Sequence, residues 1–222
     1  LKSGNTGEKR LPKLQFKVTG VAGGTSNPAL ILKDYLTNTR YGCSIPADEI
    51  DDTSFSSAQT YCDVAVDSGA GYSKRHECNL VLDTNKTLIE NIKIILTSCN
   101  GQLHWIGGKY KLHIDQEQTG SNVFDFDESH IIGNIKVIGE KKSERANQVT
   151  CKYSRKYGRP IEGTVLRDDF RSDEISWPDT SSSTYSTYLS EDNNIPLKKE
   201  ISLQSVTDFQ QARFLAHQAR LL

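Results

Sequence analysis

The side chains best able to bind a metal or act as nucleophiles are five cysteines and five histidines, scattered along the chain. No histidine lies in an H-E-x-x-H pattern and no two cysteines are spaced C-x-x-C, as zinc ligands often are. Cys99, His104 and His113 bracket a predicted hairpin, but no second ligand pair has usable spacing. We therefore predict no metal, no cofactor and no catalytic thiol. The odd cysteine count favours reduced, buried thiols, with a disulfide between two of them left open. The cysteines are Cys43, Cys62, Cys78, Cys99 and Cys151.

An acidic cluster, Asp125, Asp127 and Glu128, lies in the segment VFDFDES. A calcium loop would need a glycine and a distant bidentate glutamate, and both are missing. Alternation instead places the two aspartates on the solvent face of a strand, with Phe124 and Phe126 pointing inward. Two carboxylates can also hydrolyse a glycoside, but only across a spatial gap that a sequence does not show. Since no G-x-S-x-G, Walker or Cys–His protease pattern occurs either, we predict no catalytic residue.

Residues 136–159 carry eight lysines and arginines, with Tyr153 and Tyr157 between them. Such a composition can bind a polyanion. The acidic stretch Asp168 to Glu174 offers an internal balance, however, and the whole chain has a net charge of -1. We favour a solvated hairpin whose charges pair with each other.

The bulk composition is that of a polar globular chain. Its 222 residues are 36% hydrophobic and 25% charged, with a mean hydropathy of -0.54. No apolar run approaches the roughly 20 residues that a membrane helix needs. The chain begins at Leu1, contains no methionine and has no signal-peptide core at its start. We expect it to be a segment of a longer protein.

Helical patterns are concentrated in the first half of the chain. Apolar residues at helical spacing, with capping residues before them, predict helices over Pro28–Asn38, Asp52–Asp63 and Thr84–Cys99. On the last helix we expect Leu88, Ile92, Ile95, Leu96 and Cys99 to form the buried face. A short strand is predicted over Cys78–Leu82. A hairpin is predicted with strands Gln102–Ile106 and Lys109–Asp115 joined by Gly107-Gly108.

The second half reads mainly as strands. We predict strands at Leu14–Val21, Ile135–Ile138, Gln148–Tyr153 and Glu200–Leu203, and a low-complexity loop over Thr180–Thr187. A final helix starts at a Thr207–Gln210 capping box and presents Ala212, Ala216 and Ala219 to following sequence or to a neighbouring subunit. The fold class is therefore α+β. We expect an α/β domain with three helices and a hairpin over 21–122, and a mostly β domain over 123–222 that also takes a strand from 1–20.

Several longer segments stand in an order that carries a family resemblance. They are NPALILKDYLTNTRYG, IPADEIDDTSFSSAQTYCD, CNLVLDTNKTLIENIKIILTSCNGQLHWIGGKYKLHID, VFDFDESHIIGNIKV, RANQVTCKY and ISLQSVTDFQQARFLAHQARLL. Together the chain resembles the tail tip attachment protein J family of lambda-type siphophages. Residues 158–196 match that family poorly, and their role stays open.

The resemblance implies a structural protein of a phage or prophage tail tip, not an enzyme. It implies a baseplate-hub-like homotrimer that continues the tail tube and supports host attachment, with the mostly β domain as the hub. Its partners would be other tail tip and tail tube proteins, with receptor contact through regions outside this chain. It would be made in the bacterial host cytoplasm and located at the virion tail tip. Two alternatives remain: a tail-associated glycan hydrolase and a glycan-binding module.

Overall fold

The computed structural model describes residues 25–67, 72–116, 127–131, 133, 136, 145–161 and 165–221. Helices and strands alternate irregularly in these ranges, which confirms the predicted α+β fold class. The helices are α1 (Pro28–Thr37), α2 (Asp52–Asp63), α3 (Leu88–Thr97), α4 (Ser183–Glu191) and α5 (Phe209–Leu221). The strands are β1 (Ala65–Asp67), β2 (Tyr72–Lys74), β3 (Gly101–Ile106), β4 (Lys109–Ile114), β5 (Gln148–Ile161), β6 (Val165–Trp177) and β7 (Lys198–Leu203).

Helices α1 and α2 begin where the sequence predicts. Asn27 caps α1 by accepting hydrogen bonds from the main-chain N–H groups of Ala29 and Leu30, and Pro28 occupies the first turn. Asp51 caps α2 through the N–H of Ser54. These caps satisfy donors that the first helical turn leaves without a partner. Both helices bury one face in a first hydrophobic core.

Helix α3 starts later than predicted. Its cap is Thr87, three residues after the predicted start at Thr84, in a capping box with Glu90. Before it, Asp83 accepts from the N–H of Asn85 at 2.9 Å, a local turn that competes with helix formation. Ile92, Ile95 and Cys99 are buried as expected, but Leu88 is 48% exposed, so its predicted place in the core is wrong.

The β3–β4 hairpin confirms the predicted turn. Ile106 pairs with Lys109, and both turn glycines have positive φ, 64° for Gly107 and 75° for Gly108. That left-handed backbone at two successive positions matches the right-handed twist of the strands and favours glycine. Leu112 and Ile114 are buried against the helices and complete the first core.

Residues 78–82 do not form the predicted strand. The N–H of Cys78 donates to the main-chain oxygen of Ser26, while the N–H of Asn79 donates to that of Ser205. Because these two acceptors belong to different parts of the chain, no ladder forms. The segment is a connection that contacts both halves of the molecule.

A three-stranded sheet of order β6-β5-β7 supports the second hydrophobic core. Strand β5 is antiparallel to β6 from Val149↔Trp177 to Ile161↔Val165, and parallel to β7 from Gln148↔Lys198 to Tyr153↔Leu203. The strands predicted at Gln148–Tyr153 and Glu200–Leu203 are confirmed, and β5 continues well beyond its predicted end.

The predicted Thr180–Thr187 loop is wrong, because its second part belongs to α4. Ser182 caps this helix through the N–H of Tyr185. The hydroxyl of Thr187 donates to the main-chain oxygen of Ser183 at 3.0 Å. Serine and threonine side chains often form local hydrogen bonds with the main chain in loops. In α4 the same kind of bond joins the Thr187 hydroxyl to the preceding helical turn.

Helix α5 lies against the sheet. Asp208 caps its start by accepting from the N–H of Gln211 at 2.9 Å. Ala212 and Ala216 are fully buried in the second core with Val149 and Cys151. Their predicted contact with following sequence or a neighbouring subunit is therefore wrong, since the chain's own sheet covers them.

Several predictions lie outside the described residues. These are the strand Leu14–Val21, the inward Phe124 and Phe126 with Asp125, and all of Ile135–Ile138 except Lys136. The predicted boundary between residues 122 and 123 lies there too. Within the described ranges, no helix is long and apolar enough to cross a membrane.

Candidate assembly surfaces

The residues considered for a zinc site do not meet. Cys99 is buried in the first core, whereas His104 and His113 are exposed on the hairpin. Their register partners are Lys111 and Gln102, so both histidines lie on the face opposite the buried Leu112. Across the described residues, no three His, Cys, Asp or Glu side chains are grouped closely enough to bind a metal ion.

The five cysteines are free thiols, and four of them are buried. Burial raises the pKa of Cys78 and of Cys151 to about 12. The neighbouring Cys62 side chain and burial together hold the pKa of Cys99 well above its usual value. Thiols with raised pKa are poor nucleophiles and pack as small apolar groups.

The acidic cluster forms a turn where it is described. Asp127 accepts from the N–H of Ser129 at 2.9 Å, at the start of a short 3-10 helix over Glu128–His130. Its carboxylate also lies 2.8 Å from His130 Nδ1. The Ser129 hydroxyl and N–H, followed by His130, lower the pKa of Asp127. Asp127 is exposed as predicted, but it lies beside a helical turn and not in a strand.

The basic stretch pairs with acidic neighbours, as the hairpin interpretation predicts. Lys152 lies opposite Glu174 in the β5–β6 register and forms an ion pair with Glu200 at 2.8 Å. Arg155 contacts Asp173 at 3.2 Å. Lys152 and Arg155 are thus balanced within the sheet, and Arg145 forms an ion pair with Asp192 at the end of α4 at 3.1 Å.

The two hydrophobic cores are joined by a buried glutamine. Gln211 of α5 is 3% exposed, and its Nε2 donates to the main-chain oxygens of Ser98 at 2.7 Å and Glu77 at 2.9 Å. Its Oε1 accepts from the N–H of Glu77 at 3.2 Å. One side chain therefore satisfies three main-chain groups of the first half of the chain, which fixes α5 against it.

Further polar contacts extend this junction. Ser205 follows β7; its hydroxyl donates to Ile94 O at 3.0 Å and its main-chain oxygen accepts from Asn79 N at 2.8 Å. Gln218 Nε2 donates to the main-chain oxygen of Asp115 at 3.3 Å. The junction thus runs along α5 from its first turn to its last. Sequence analysis missed it, because isolated glutamines and serines carry no local signal for distant contacts.

His76 lies in the same junction. Its ring is fully buried, with centroids 6.0 Å from Tyr61 in α2 and 5.7 Å from Phe214 in α5. Neither ring nitrogen has a well-aligned hydrogen-bond partner among the described residues. Burial, with a smaller contribution from the positive charge of Arg75, lowers its pKa to about 4. His76 is therefore neutral near pH 7, and its ring packs as an uncharged aromatic group between Tyr61 and Phe214.

The exposed apolar side chains include one pair at the hairpin tip and another at the start of α3. Trp105 is 54% exposed and meets Tyr110 edge-on at 4.5 Å, and Ile106 is 56% exposed. Ile89 is 57% exposed on α3. Large exposed apolar groups of this kind are enriched where proteins bind one another.

A positively charged surface on α5 was also missed by the sequence analysis. Arg213, His217 and Arg220 recur at i, i+4 and i+7, which places them on one side of the helix. We call these three residues the α5 basic stripe. Arg213 lies over the Trp177 ring at 4.6 Å, and Arg220 lies over the Tyr188 ring at 3.3 Å. The i, i+4, i+7 spacing in the sequence could have revealed the stripe. The aromatic partners of its arginines could not be foreseen, because they come from β6 and α4.

Comparison with known proteins gives one partial similarity. The chain is 32% identical over 103 residues to the tip attachment protein J of Escherichia phage SECphi27. The matched segment is 45% of this chain and 9% of that relative. No family model matches the chain. The chain is thus similar, over part of its length, to a phage tail tip protein.

Proposed function

We propose that the chain is a structural part of a phage or prophage tail tip, not an enzyme. The observation that carries the proposal is the similarity, over 103 residues, to a protein named as a tip attachment protein. The order of matching segments along the chain supports the finer assignment to the tail tip attachment protein J family and its hub region. The proposed location is the virion tail tip, after assembly in the host cytoplasm.

The architecture is suited to a scaffold. Two cores are locked together through α5 by Gln211 and Ser205, whose partners lie more than 100 residues away in the sequence. Hydrogen bonds that satisfy buried main-chain groups fix relative orientation, since breaking them leaves polar groups unpaired. We propose that the α/β domain over 21–122 and the sheet-containing domain over 123–222 act as one rigid unit.

We further propose that the full-length protein is a homotrimer that continues the tail tube. Such a ring needs complementary patches on each copy, and a stable interface buries more than about 1,000 Å². The exposed hairpin tip, with Trp105 and Ile106, is a candidate for one of these patches. Host attachment is supported by this scaffold, and receptor contact is assigned to regions outside the present residues.

Antibody labelling of virions tests the location. An antibody raised against this chain should decorate the tail tip in electron micrographs, and a control antibody against the major capsid protein should decorate heads only. Label on heads, or no label on intact tails, would contradict the proposal.

Native mass measurement of the full-length protein should give a trimer, and a monomer at high concentration would reject the hub assignment.

An activity assay tests the alternative functions. The chain should release no product from peptidoglycan or capsular glycan, because the proposed role is structural and its sequence carries no G-x-S-x-G, Walker or Cys–His protease pattern. Reproducible glycan cleavage that is lost in a carboxylate variant would favour the hydrolase. Glycan binding by a monomeric full-length protein would favour the binding module.

A further inference from the structure

We propose that the α5 basic stripe is a docking surface for an acidic segment of a partner protein. The inference rests on the proposed function, which gives the chain protein partners at the tail tip. Arg213 and Arg220 are seven residues apart, or about 10 Å along a helix. The matching partner segment therefore presents two carboxylates about 10 Å apart on one side. This lies between the roughly 7 Å and roughly 13 Å that separate residues i and i+2, or i and i+4, on one face of an extended chain.

The stripe is held in place before any partner arrives. The guanidinium carbon of Arg213 is 4.6 Å from the centroid of Trp177, and the His217 ring meets the same indole nearly perpendicularly, with centroids 5.6 Å apart. The guanidinium of Arg220 is 3.3 Å from the centroid of Tyr188. A guanidinium stacked on a ring keeps its in-plane N–H donors available for bidentate binding of a carboxylate. Stacking also orders the two arginine side chains in advance, so they lose less conformational entropy when a partner binds.

The positive charge of the stripe is not balanced within the described part of the chain. The ion pairs found there use other cations, and neither Arg213 nor Arg220 has a carboxylate within 4 Å. Asp192, at the end of α4, is already paired with Arg145 at 3.1 Å. An acidic partner would balance this charge and accept hydrogen bonds from the terminal N–H groups of the two guanidiniums.

The same geometry favours a polypeptide over a nucleic acid. Proteins that bind single strands offer open aromatic faces for base stacking and a basic groove along several phosphates. Here Arg213 and His217 already lie against Trp177, and Arg220 lies against Tyr188. The stripe also has only two permanent charges.

Trp177 provides a direct reporter of binding. The chain has two tryptophans, so Trp105→Phe leaves Trp177 as the only indole. In this background, titration with hexaglutamate at low ionic strength should shift the Trp177 emission in a saturable way. Arg213→Gln with Arg220→Gln should weaken binding at least tenfold. The matched control, Lys109→Gln with Lys111→Gln on β4, removes the same charge and should bind normally. Thermal melting of each variant verifies its fold.

The outcomes separate the possible occupants of this surface. Equal loss of binding in the stripe and hairpin variants, or no saturable shift at all, would overturn the proposal. So would tighter binding of hexathymidylate or inorganic phosphate than of hexaglutamate, which would indicate a phosphate ligand. Self-association that disappears in the stripe variant, without hexaglutamate binding, would assign the surface to a second copy. Virion labelling is independent: a labelled tail tip with no hexaglutamate binding rejects the stripe alone.

Discussion

The side-chain amide of Gln211 donates to the main-chain oxygen of Ser98 at 2.7 Å, although the two residues are 113 positions apart. Ser98 caps the end of α3, which packs in the first core, and Gln211 lies in the first turn of α5, which covers the second. The two halves of the chain are therefore joined by a buried hydrogen bond in addition to apolar contact. This arrangement explains why a glutamine is fully enclosed at this position.

Replacing Gln211 should weaken the junction. Gln211→Ala leaves main-chain groups of Ser98 and Glu77 buried without partners, and each such group costs about 1–3 kcal/mol. We expect the free energy of unfolding, measured in urea, to fall by roughly 2–5 kcal/mol. Gln102→Ala, on the exposed face of β3, is the control and should change stability by less than about 0.5 kcal/mol. Equal effects of the two substitutions would contradict the assigned role.

The apolar face of α3 offers a second test with a matched pair of isoleucines. Ile95 is fully buried, whereas Ile89 in the same helix is 57% exposed. Ile95→Ala should destabilise by about 2–5 kcal/mol, because it removes buried contacts and leaves a cavity. Ile89→Ala should have little effect on stability, since its side chain is largely in water. The measurement is chemical unfolding, and a reversed order of the two effects would refute the placement of this helix.

His76 should make the folded state sensitive to acid. Its pKa in the folded chain is about 4, below the ordinary 6.5. Between these values the unfolded chain takes up a proton that the folded chain does not, so stability falls as pH falls. Stability is unaffected by this group above about pH 6.5, and the loss of stability reaches on the order of 3 kcal/mol by pH 4.

His76→Phe tests this acid sensitivity directly. A phenylalanine can lie between Tyr61 and Phe214 as the neutral ring does, but it cannot bind a proton. Stability of this variant, followed by urea unfolding from pH 7 to pH 4, should depend much less on pH than that of the unchanged chain. His104→Phe, at an exposed position, should keep the original dependence. An unchanged slope in His76→Phe would show that another group is responsible.

The hairpin turn should tolerate asparagine better than alanine. Gly107 has φ of 64°, and a Cβ built there would meet nothing within 4 Å. Any cost of substitution therefore comes from the left-handed backbone and not from crowding. Gly107→Ala should lower stability by about 1–2 kcal/mol, and Gly107→Asn by less, because asparagine enters this region more readily. Thermal melting should rank the variants glycine, asparagine, alanine, and any other order would contradict the turn.

Local chemistry accounts for the elements that sequence analysis placed correctly. Asn27 and Pro28 mark the start of α1, and Gly107-Gly108 closes the hairpin, through interactions that span only a few residues. Such signals are complete in the sequence, because cap and turn energies depend on immediate neighbours. Prediction failed where the same residue types favour either a loop or the start of a helix, as at the serine- and threonine-rich start of α4.

The absence of a recognisable catalytic motif and the order of the matching segments could also be read from the sequence alone. The tertiary structure decided which surfaces are joined and which are left open. Gln211 donates a hydrogen bond to Glu77, which is 134 positions away, and β5 pairs in parallel with β7 in a register that begins with Gln148 opposite Lys198. Arg213 and Arg220 acquire ring partners from β6 and α4. These relationships depend on the packing of distant segments, for which a single sequence carries no periodic or neighbouring-residue signal.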